Sequence, residues 1–382
     1  MQYRELGRTG EKVSALGFGC MRLPVTDGQE DRIDGDLASD LLDEAISEGV
    51  NYLDTAYPYH KGMSERFLGD YLRGGKRNQV YLATKLPCWE VSEPGDMDAL
   101  LQEQLKRLQT DFFDFYLLHN IKREWWQRLY EFGVLDFLDQ AIRQGRIRYA
   151  GFSFHDEPDH FRRVVDSYDW DFCQIQYNYM DEEAQAGTAG LEYAASKGLG
   201  VVVMEPLRGG TLANRMPEDI QGIWEEMKTG RSPAEWGLRW VWNRPEVSVA
   251  LSGMNSREQV RENCRIAHEA EAHALTGQEL ELITRVREAF SHRLRVPCTG
   301  CGYCTPCPSG VNIPRIFGLY NDRFMFGDKR YPHLMYTMST NRAEQADNCQ
   351  ECGECEEVCP QGIEVVRELK KAHEVLVEPP DQ

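Results

Sequence analysis

LASDLLDEAISEGVNYLDTA, residues 37–56, holds two elements in immediate succession. In the first, Leu41, Leu42, Ala45 and Ile46 fall on one face at helical spacing, and Gly49 stops the helix. The second, VNYLDTA (50–56), is a short β-rich apolar run. A helix that runs into a strand across one glycine is half of a repeating unit. The same alternation continues through VSALGFG (13–19), VYLATK (80–85), FDFYLLH (113–119), IRYAGFS (147–153), FCQIQYN (172–178), LGVVVMEP (199–206) and VSVALSG (247–253), with amphipathic stretches between them.

Nearly continuous apolar strands, each followed by a helix, indicate a parallel sheet covered by helices. Such a sheet stays open as a doubly wound layer or closes as a barrel. Eight strands is the closing number, and the polar residues of interest sit at strand C-terminal ends around the whole order, where barrel active sites form. The expected architecture is an α/β fold: a (β/α)8 TIM barrel over residues 1–290, followed by a smaller domain.

SREQVRENCRIAHEA and TGQELELITRVREAF read as two further helices, the second leading directly into a cysteine-rich end. Eight of the twelve cysteines lie between Cys298 and Cys359, whereas Cys20, Cys88, Cys173 and Cys264 are scattered and read as small buried hydrophobes. The segment 311–340 between the two cysteine groups is mostly helical. A mainly α-helical domain is expected over 291–375, with a loose tail over 376–382.

The formal charge of −19 argues against nucleic acid and anionic lipid as partners, since both require basic patches. No apolar run approaches the roughly 18 to 20 residues that span a bilayer, and MQYRELGRTG lacks the apolar core of a signal peptide. A cytoplasmic location is expected. Clustered cysteines in such a compartment favour metal ligation over disulfides.

The second strand ends NYLDTAYPYHKGMSE, the third ATK and the fourth LLHN. If the barrel closes, Asp54, Tyr59, Lys85 and His119 meet on one rim, in a pattern suited to delivering a proton to a carbonyl. A phenol near pKa 10 is a poor acid at neutral pH, and a neighbouring ammonium lowers that value. Tyr59 is therefore the expected acid, Lys85 its activator, Asp54 the residue that holds Lys85, and neutral His119 a donor that orients the substrate oxygen.

Here the chain resembles the aldo-keto reductase family over roughly residues 1–290. The resemblance rests on YRELGRTGEKVSALGFGCM, Asp54-Thr-Ala with Tyr59 five residues on, Thr84-Lys85, Leu118-His119, Gly151-Phe-Ser153, Gln174 with Tyr177-Asn178, Pro206-Leu207-Arg-Gly209, and Glu262-Asn263. It implies that Asp54, Tyr59, Lys85 and His119 are a catalytic tetrad. It also implies a nicotinamide dinucleotide bound without a Rossmann fold and a small-molecule carbonyl substrate. The dinucleotide contacts it implies are Cys20, Met21 and Asp54; Ser153 and Gln174 at the carboxamide; Met204, Pro206 and Leu207 along the nicotinamide and phosphates; and Gly253, Asn255, Ser256, Gln259 and Asn263 at the adenosine end.

Three departures from the family pattern stand out. Ser153-Phe154 replaces the usual Ser-Asn and removes one carboxamide partner. Gly253 and Gln259 occupy places where basic residues commonly grip a 2′-phosphate, which leaves NADPH and NADH both open, with Arg257 as a substitute grip. Met204-Glu205 replaces a pair that often contains an aromatic residue stacked on the nicotinamide. Tyr57, Trp89, Trp125, Trp126 and His155 either line a substrate pocket or pack elsewhere.

Cys349, Cys352, Cys355 and Cys359, followed by Pro360, fit the C-x2-C-x2-C-x3-C-P run that wraps a cubane cluster. Cys298, Cys301, Cys304 and Cys307, followed by Pro308, form a second set with a shorter final gap. In such runs the fourth cysteine reaches the neighbouring cluster. Cys298, Cys301, Cys304 and Cys359 are then expected to hold one 4Fe-4S cluster, and Cys349, Cys352, Cys355 and Cys307 the other. Zinc is the alternative, although its sites use two C-x2-C knuckles and four ligands. The domain resembles a helical two-cluster ferredoxin, and the whole chain resembles aldo-keto reductase-like proteins that carry ferredoxin-type 4Fe-4S domains.

A hydride carries two electrons, whereas each cluster passes one at a time. Three readings follow: a carbonyl reductase whose clusters relay electrons to a redox protein partner or a bound flavin; a reductase braced by structural clusters; and an electron-transfer module whose barrel is a docking scaffold. No flavin fingerprint is present, and the intact tetrad favours the first.

Overall fold

The structure, a computed structural model, describes residues 1–214, 216–298, 304–359 and 361–379. The chain divides into two compact units, residues 1–209 with 234–276, and residues 210–233 with 277–382.

The first unit begins with an antiparallel hairpin, β1 (Tyr3–Glu5) and β2 (Lys12–Ser14). Eight parallel strands follow: β3 (Leu16–Gly19), β4 (Tyr52–Asp54), β5 (Tyr81–Pro87), β6 (Phe113–Ile121), β7 (Ile147–Phe154), β8 (Phe172–Gln176), β9 (Gly200–Met204) and β10 (Val247–Ser252). They close in chain order, with β10 paired to β3, so the sheet is the expected barrel and the open doubly wound layer is ruled out. The run 13–19 is not one strand. Val13 and Ser14 end the hairpin, and the barrel starts at Leu16.

Large side chains fill the barrel interior as a barrel of this size requires. Phe115 is the hub, with its ring centroid 5.4 Å from Tyr52, 5.5 Å from Tyr149 and 5.3 Å from Phe172. The hairpin lies close under β9. Gly7 sits at φ +51°, and a Cβ there would lie 2.1 Å from the Gly200 nitrogen, so only glycine fits. The helix anticipated after residue 37 begins at Gly35, because Asp34 caps it by accepting from the Leu37 amide at 3.1 Å.

The second unit has its own core. Val296, Ile313, Ile316, Phe317, Tyr336, Val365, Leu369 and Leu376 are buried around the helices Ile313–Met325 and Val365–Val377. Each such side chain contributes about 1.5–3 kcal/mol on burial. Asn321 pins the approach to the cysteines: its Oδ1 accepts from the Arg295 and Val296 amides at 3.0 Å, and its Nδ2 donates to the Val296 carbonyl at 2.8 Å. Packing divides the chain earlier than residue 290, since the helix Gly277–Ser291 lies against Glu218–Glu225 in this unit. At the other end, helix continues through Val377 with Leu376 buried, so residues 376 and 377 belong to the packed domain and not to a tail. Among the described residues no helix is long and apolar enough to cross a membrane.

Candidate active site and cysteine cavity

β4, β5 and β6 are adjacent, and their C-terminal ends bring three of the four rim residues together. Asp54 ends β4, Lys85 lies on β5 opposite Leu117, and His119 lies on β6 opposite Pro87. Tyr59 follows β4 in a tight turn, Tyr59–Gly62, in which His60, Lys61 and Gly62 all have positive φ. That costly backbone is tied down by His60. Its Nε2 accepts from the Leu23 amide at 3.1 Å while its Nδ1 lies 2.7 Å from the Glu30 carbonyl, so the ring is held as the neutral Nδ1-H tautomer.

The Lys85 ammonium is fully buried and uses all three of its donors. It meets Asp54 Oδ1 at 2.7 Å, the Thr55 carbonyl at 2.8 Å and the Tyr59 hydroxyl at 3.5 Å. Burial works against the Lys85 charge, but Asp54 outweighs it and raises the lysine above its ordinary range. Burial likewise pushes the Asp54 carboxyl up while Lys85 pulls it back. At 2.7 Å, with one charge on each partner, the ion pair is the state we assign.

Burial pushes the Tyr59 phenol above its usual value; Lys85 pulls it down and Asp54 pushes it up again. The net direction is upward, a correction to the expectation of a phenol made acidic by Lys85. Desolvation is the dominant cause, and Asp54 opposes the ammonium field that the sequence assigns to the phenol. Burial, then Lys85, then His155, hold His119 well below the ordinary histidine range, which makes it a neutral imidazole. Its ring stands edge-on to Tyr59 at 6.1 Å, and its Nδ1 is buried without a partner. His119 and Tyr59 each keep part of their surface open.

A buried polar network backs the Lys85 strand. Glu65 accepts from Thr84 Oγ1 at 2.8 Å, Gln104 Nε2 at 2.7 Å and Arg107 at 3.2 Å, and Gln104 also donates to the Lys85 carbonyl at 2.9 Å. The sequence reading misses these residues. Only the SER following the rim tyrosine, Ser64-Glu65-Arg66, sets an acid into the first turn of a helix that faces β5.

Around the rim, Ser153 and Gln174 are paired across β7 and β8. Ser153 Oγ accepts from the Asn120 amide at 2.7 Å, and Gln174 Nε2 lies 3.5 Å from Met204 Sδ. The Oε1 of Gln174 is buried without a partner. Asn120, not singled out by the sequence reading, sits at φ +58° where the β6–β7 register shifts, and its Oδ1 is also buried and unpartnered. Its signal is an asparagine at a strand end, the residue type that tolerates this conformation. Orphaned amide oxygens beside Ser153 suit a ligand with N–H donors, such as a carboxamide.

Cys20 is fully buried and its carbonyl accepts from Ser64 Oγ at 3.0 Å, whereas Met21 is exposed. At the adenosine end, Ser256 caps a helix through the Gln259 amide at 3.3 Å, and Gln259 accepts from the Asn255 amide at 2.9 Å. Asn263 donates to Ser252 at 3.0 Å. Gly253 lies beside the Arg22 side chain, which a Cβ would meet at 3.2 Å. Pro206 is buried, and Leu207 borders Gly237. Arg257 is paired with Asp40 at 2.5 Å and Glu44 at 3.2 Å.

The aromatic residues divide. Trp89 lies 5.1 Å from His119 and 5.9 Å from Trp125, so the two indoles form a run of rings that starts at His119. Trp126 packs on Trp170 and Tyr130, and Tyr57 stacks on Arg107 at 3.9 Å. Cys88, Cys173 and Cys264 are buried, as expected of small hydrophobes.

In the second unit, Cys304, Cys307, Cys349, Cys352 and Cys355 line one cavity of about 250 Å³. Burial, then Cys349, raises the Cys355 thiol to about 11, with Cys352 adding to the effect. Cys298 and Cys359 pack against the unit's core and do not line that cavity. Cys301 lies outside the described residues. None of the described cysteines forms a disulfide. Among the described residues no three Cys, His, Asp or Glu side chains gather tightly enough to hold a single metal ion. Thiols spread around a cavity suit a polynuclear cluster better than one zinc ion.

Comparison with known proteins agrees with both units. The Aldo/keto reductase family model matches residues 15–288, and a 4Fe-4S dicluster domain model matches 297–364. L-galactose dehydrogenase of Arabidopsis thaliana is 29% identical over 318 residues, covering 75% of this chain and 95% of its own. The NADH-specific methylglyoxal reductase of Escherichia coli is 26% identical over 308 residues, covering 68% and 91%. An aldo-keto reductase from Bacillus halodurans, solved in its holo form, superposes with a TM-score of 0.63 at 28% identity, covering 75% of this chain and 96% of its own. Since one family model spans more than two thirds of the chain, and the closed eight-stranded barrel matches a solved aldo-keto reductase, this oxidoreductase belongs to the aldo/keto reductase family and carries a C-terminal 4Fe-4S domain.

Proposed function

We propose that the barrel reduces a small-molecule carbonyl with a nicotinamide dinucleotide, using Asp54, Tyr59, Lys85 and His119. The observation that carries this reading is the threefold hold on the Lys85 ammonium by Asp54, Thr55 and Tyr59 beside a neutral imidazole. The nicotinamide, when bound, supplies a hydride to the carbonyl carbon. Tyr59 gives its hydroxyl proton to the carbonyl oxygen, and Lys85 stabilises the phenolate left behind. As that phenolate forms, the ammonium field is spent on a real charge, so an upward-shifted resting phenol still becomes a donor during the reaction. His119 stays neutral and orients the oxygen by a hydrogen bond. Tyr59→Phe removes the proton and should cut NAD(P)H-dependent carbonyl reduction by at least about 100-fold. Unchanged turnover in steady-state assays would favour a docking scaffold.

The carboxamide would be held by Ser153, Gln174 and Asn120, with Asn120 filling the role that Phe154 cannot. Two observations support NADH over NADPH: Arg257 already faces two carboxylates, and Gly253 and Gln259 carry no charge. A large advantage for NADPH in kcat/KM would reverse this choice.

Two 4Fe-4S clusters would be held by Cys349, Cys352, Cys355 and Cys307, and by Cys298, Cys301, Cys304 and Cys359. Cys307 shares a cavity with Cys349, Cys352 and Cys355, as this assignment requires, while Cys304, assigned to the other cluster, borders the same cavity. Such clusters carry single electrons. We assign them a relay to an external carrier, with a flavin as the converter if one is bound. Rapid-mixing absorbance after cluster reduction tests the relay, and no transfer on a catalytic timescale would leave the clusters a structural role. On this reading the first unit carries the reductase activity and the second, cysteine-bearing unit carries the clusters, in a cytoplasmic protein.

A further inference from the structure

Lys122 is anomalous for its surroundings. The chain has 62 acidic and 43 basic residues, and the half-buried Arg77, Arg107, Arg146 and Arg239 of the first unit each meet a carboxylate within 3.2 Å. Lys122 is half-buried too, yet among the described residues no carboxylate pairs with it. Its ammonium instead faces the ring of Trp125 at 5.2 Å. A cation on an aromatic face is worth about 0.5–1 kcal/mol near a surface, less than full pairing of a desolvated charge provides.

Its position is equally informative. Lys122 follows β6 three residues after His119. A run of ring contacts joins them: His119 to Trp89 at 5.1 Å, Trp89 to Trp125 at 5.9 Å, and Trp125 to Lys122. His155 provides a second link. Burial and then Lys122 push it down to about 4, and it in turn acts on His119. Neutral His155 brings no second charge to this end of the run. Arg123, next to Lys122, is exposed, and Arg128 donates to the Cys88 carbonyl at 2.9 Å and so holds the segment leading into Trp89.

A proton donor, a run of indoles leading away from it and an ammonium without a carboxylate partner at the far end of that run have a definite complement. We infer that Lys122 binds the anionic group of the substrate, so that the compound reduced is a carbonyl bearing a carboxylate or phosphate beyond an apolar spacer that lies along Trp89 and Trp125. This rests on the reading of Tyr59 and His119 as the carbonyl end. The apolar spacer excludes the shortest keto acids, in which the two groups adjoin.

The test uses the full chain with its clusters loaded, assayed anaerobically on 4-formylbenzoate, 4-formylphenyl phosphate and the neutral methyl 4-formylbenzoate. The better anion should exceed the neutral ester in kcat/KM by about tenfold, equivalent to ~1.4 kcal/mol, chiefly through KM, and added salt should erode the advantage. Which anion leads decides between carboxylate and phosphate. Lys122→Met should bring the anion-to-neutral ratio close to one, and Lys122→Arg should keep most of it. A wild-type ratio of one or less, or a ratio unchanged in Lys122→Met, overturns the inference. If no aldehyde is reduced, the reductase reading has failed independently, and binding followed by Trp89 and Trp125 fluorescence still decides. Tighter binding of an anion that is lost in Lys122→Met supports the site, and equal binding of anion and ester ends it.

Discussion

Replacing Lys85 with methionine keeps the volume of a fully buried side chain and deletes its charge, which isolates what the Asp54–Lys85 pair does. Asp54 then sits in the barrel with no cation 2.7 Å away and one oxygen already lacking a partner. An uncompensated buried carboxylate costs about 3–5 kcal/mol. It escapes by taking a proton, since burial already pushes it up. Holding a proton at pH 7 on a group that is released near pKa 3.9 in the unfolded chain costs ~1.36 kcal/mol per unit, so about 4 kcal/mol at pH 7 and about 1.5 at pH 5. The two estimates agree at neutral pH.

The sign follows from linkage. With its folded pKa raised, Asp54 of the variant binds a proton that the unfolded chain releases. Stability is therefore full below the unfolded value and falls as pH climbs towards the folded one. In the wild type, Asp54 raises Lys85, so the lysine's contribution is present at and below neutrality and is lost only at alkaline pH, as pH rises through its folded value. Guanidinium unfolding followed by tryptophan fluorescence at pH 5 and pH 7 should show Lys85→Met much closer to wild type at pH 5. The double variant Asp54→Asn with Lys85→Met, lacking both charges, should recover most of the stability and none of the activity, with kcat down by about 100-fold or more in both. Equal destabilisation at the two pH values, or turnover near wild type in Lys85→Met, would refute the assignment of a charged pair that serves Tyr59.

Cys307→Ser and Cys355→Ser should remove the same cluster, leaving about half of the iron and one electron paramagnetic resonance signal, while Cys359→Ser should remove the other. Loss of the same signal in Cys307→Ser and Cys359→Ser would reject the crossed assignment. Because burial, Lys85 and His155 keep His119 neutral, kcat/KM should show no histidine limb between pH 6 and 8. A limb near 6.5 that disappears in His119→Asn would contradict this. Gly7→Ala forces a Cβ against the Gly200 backbone at positive φ and should cost at least about 2 kcal/mol in chemical unfolding, whereas Gly10→Ala, also at positive φ but with open space around it, should cost less.

Strand number, strand order and the polar residues at the strand ends were legible in the chain alone, because each is a local property. A strand is a short apolar run, a helix is a periodicity, and a parallel strand must be followed by a crossover. Asp54, Lys85 and His119 could be placed on one rim from sequence because all lie at the C-terminal ends of adjacent strands. The cysteine spacing is likewise local. What needed the tertiary structure were the quantities that depend on groups remote in sequence. The direction of the Tyr59 shift depends on how completely Asp54 cancels Lys85 and on how far the phenol is withdrawn from water. Asn120 enters the rim only through a register shift between two strands, and Glu65 reaches the Lys85 strand through Thr84 and Gln104, 19 and 39 residues away. Lys122 looks like any other lysine until every carboxylate near it is accounted for in three dimensions. Periodicity and spacing fix which residues share a face; the field at an atom is a sum over everything that folding brings near it, and no local pattern contains that sum.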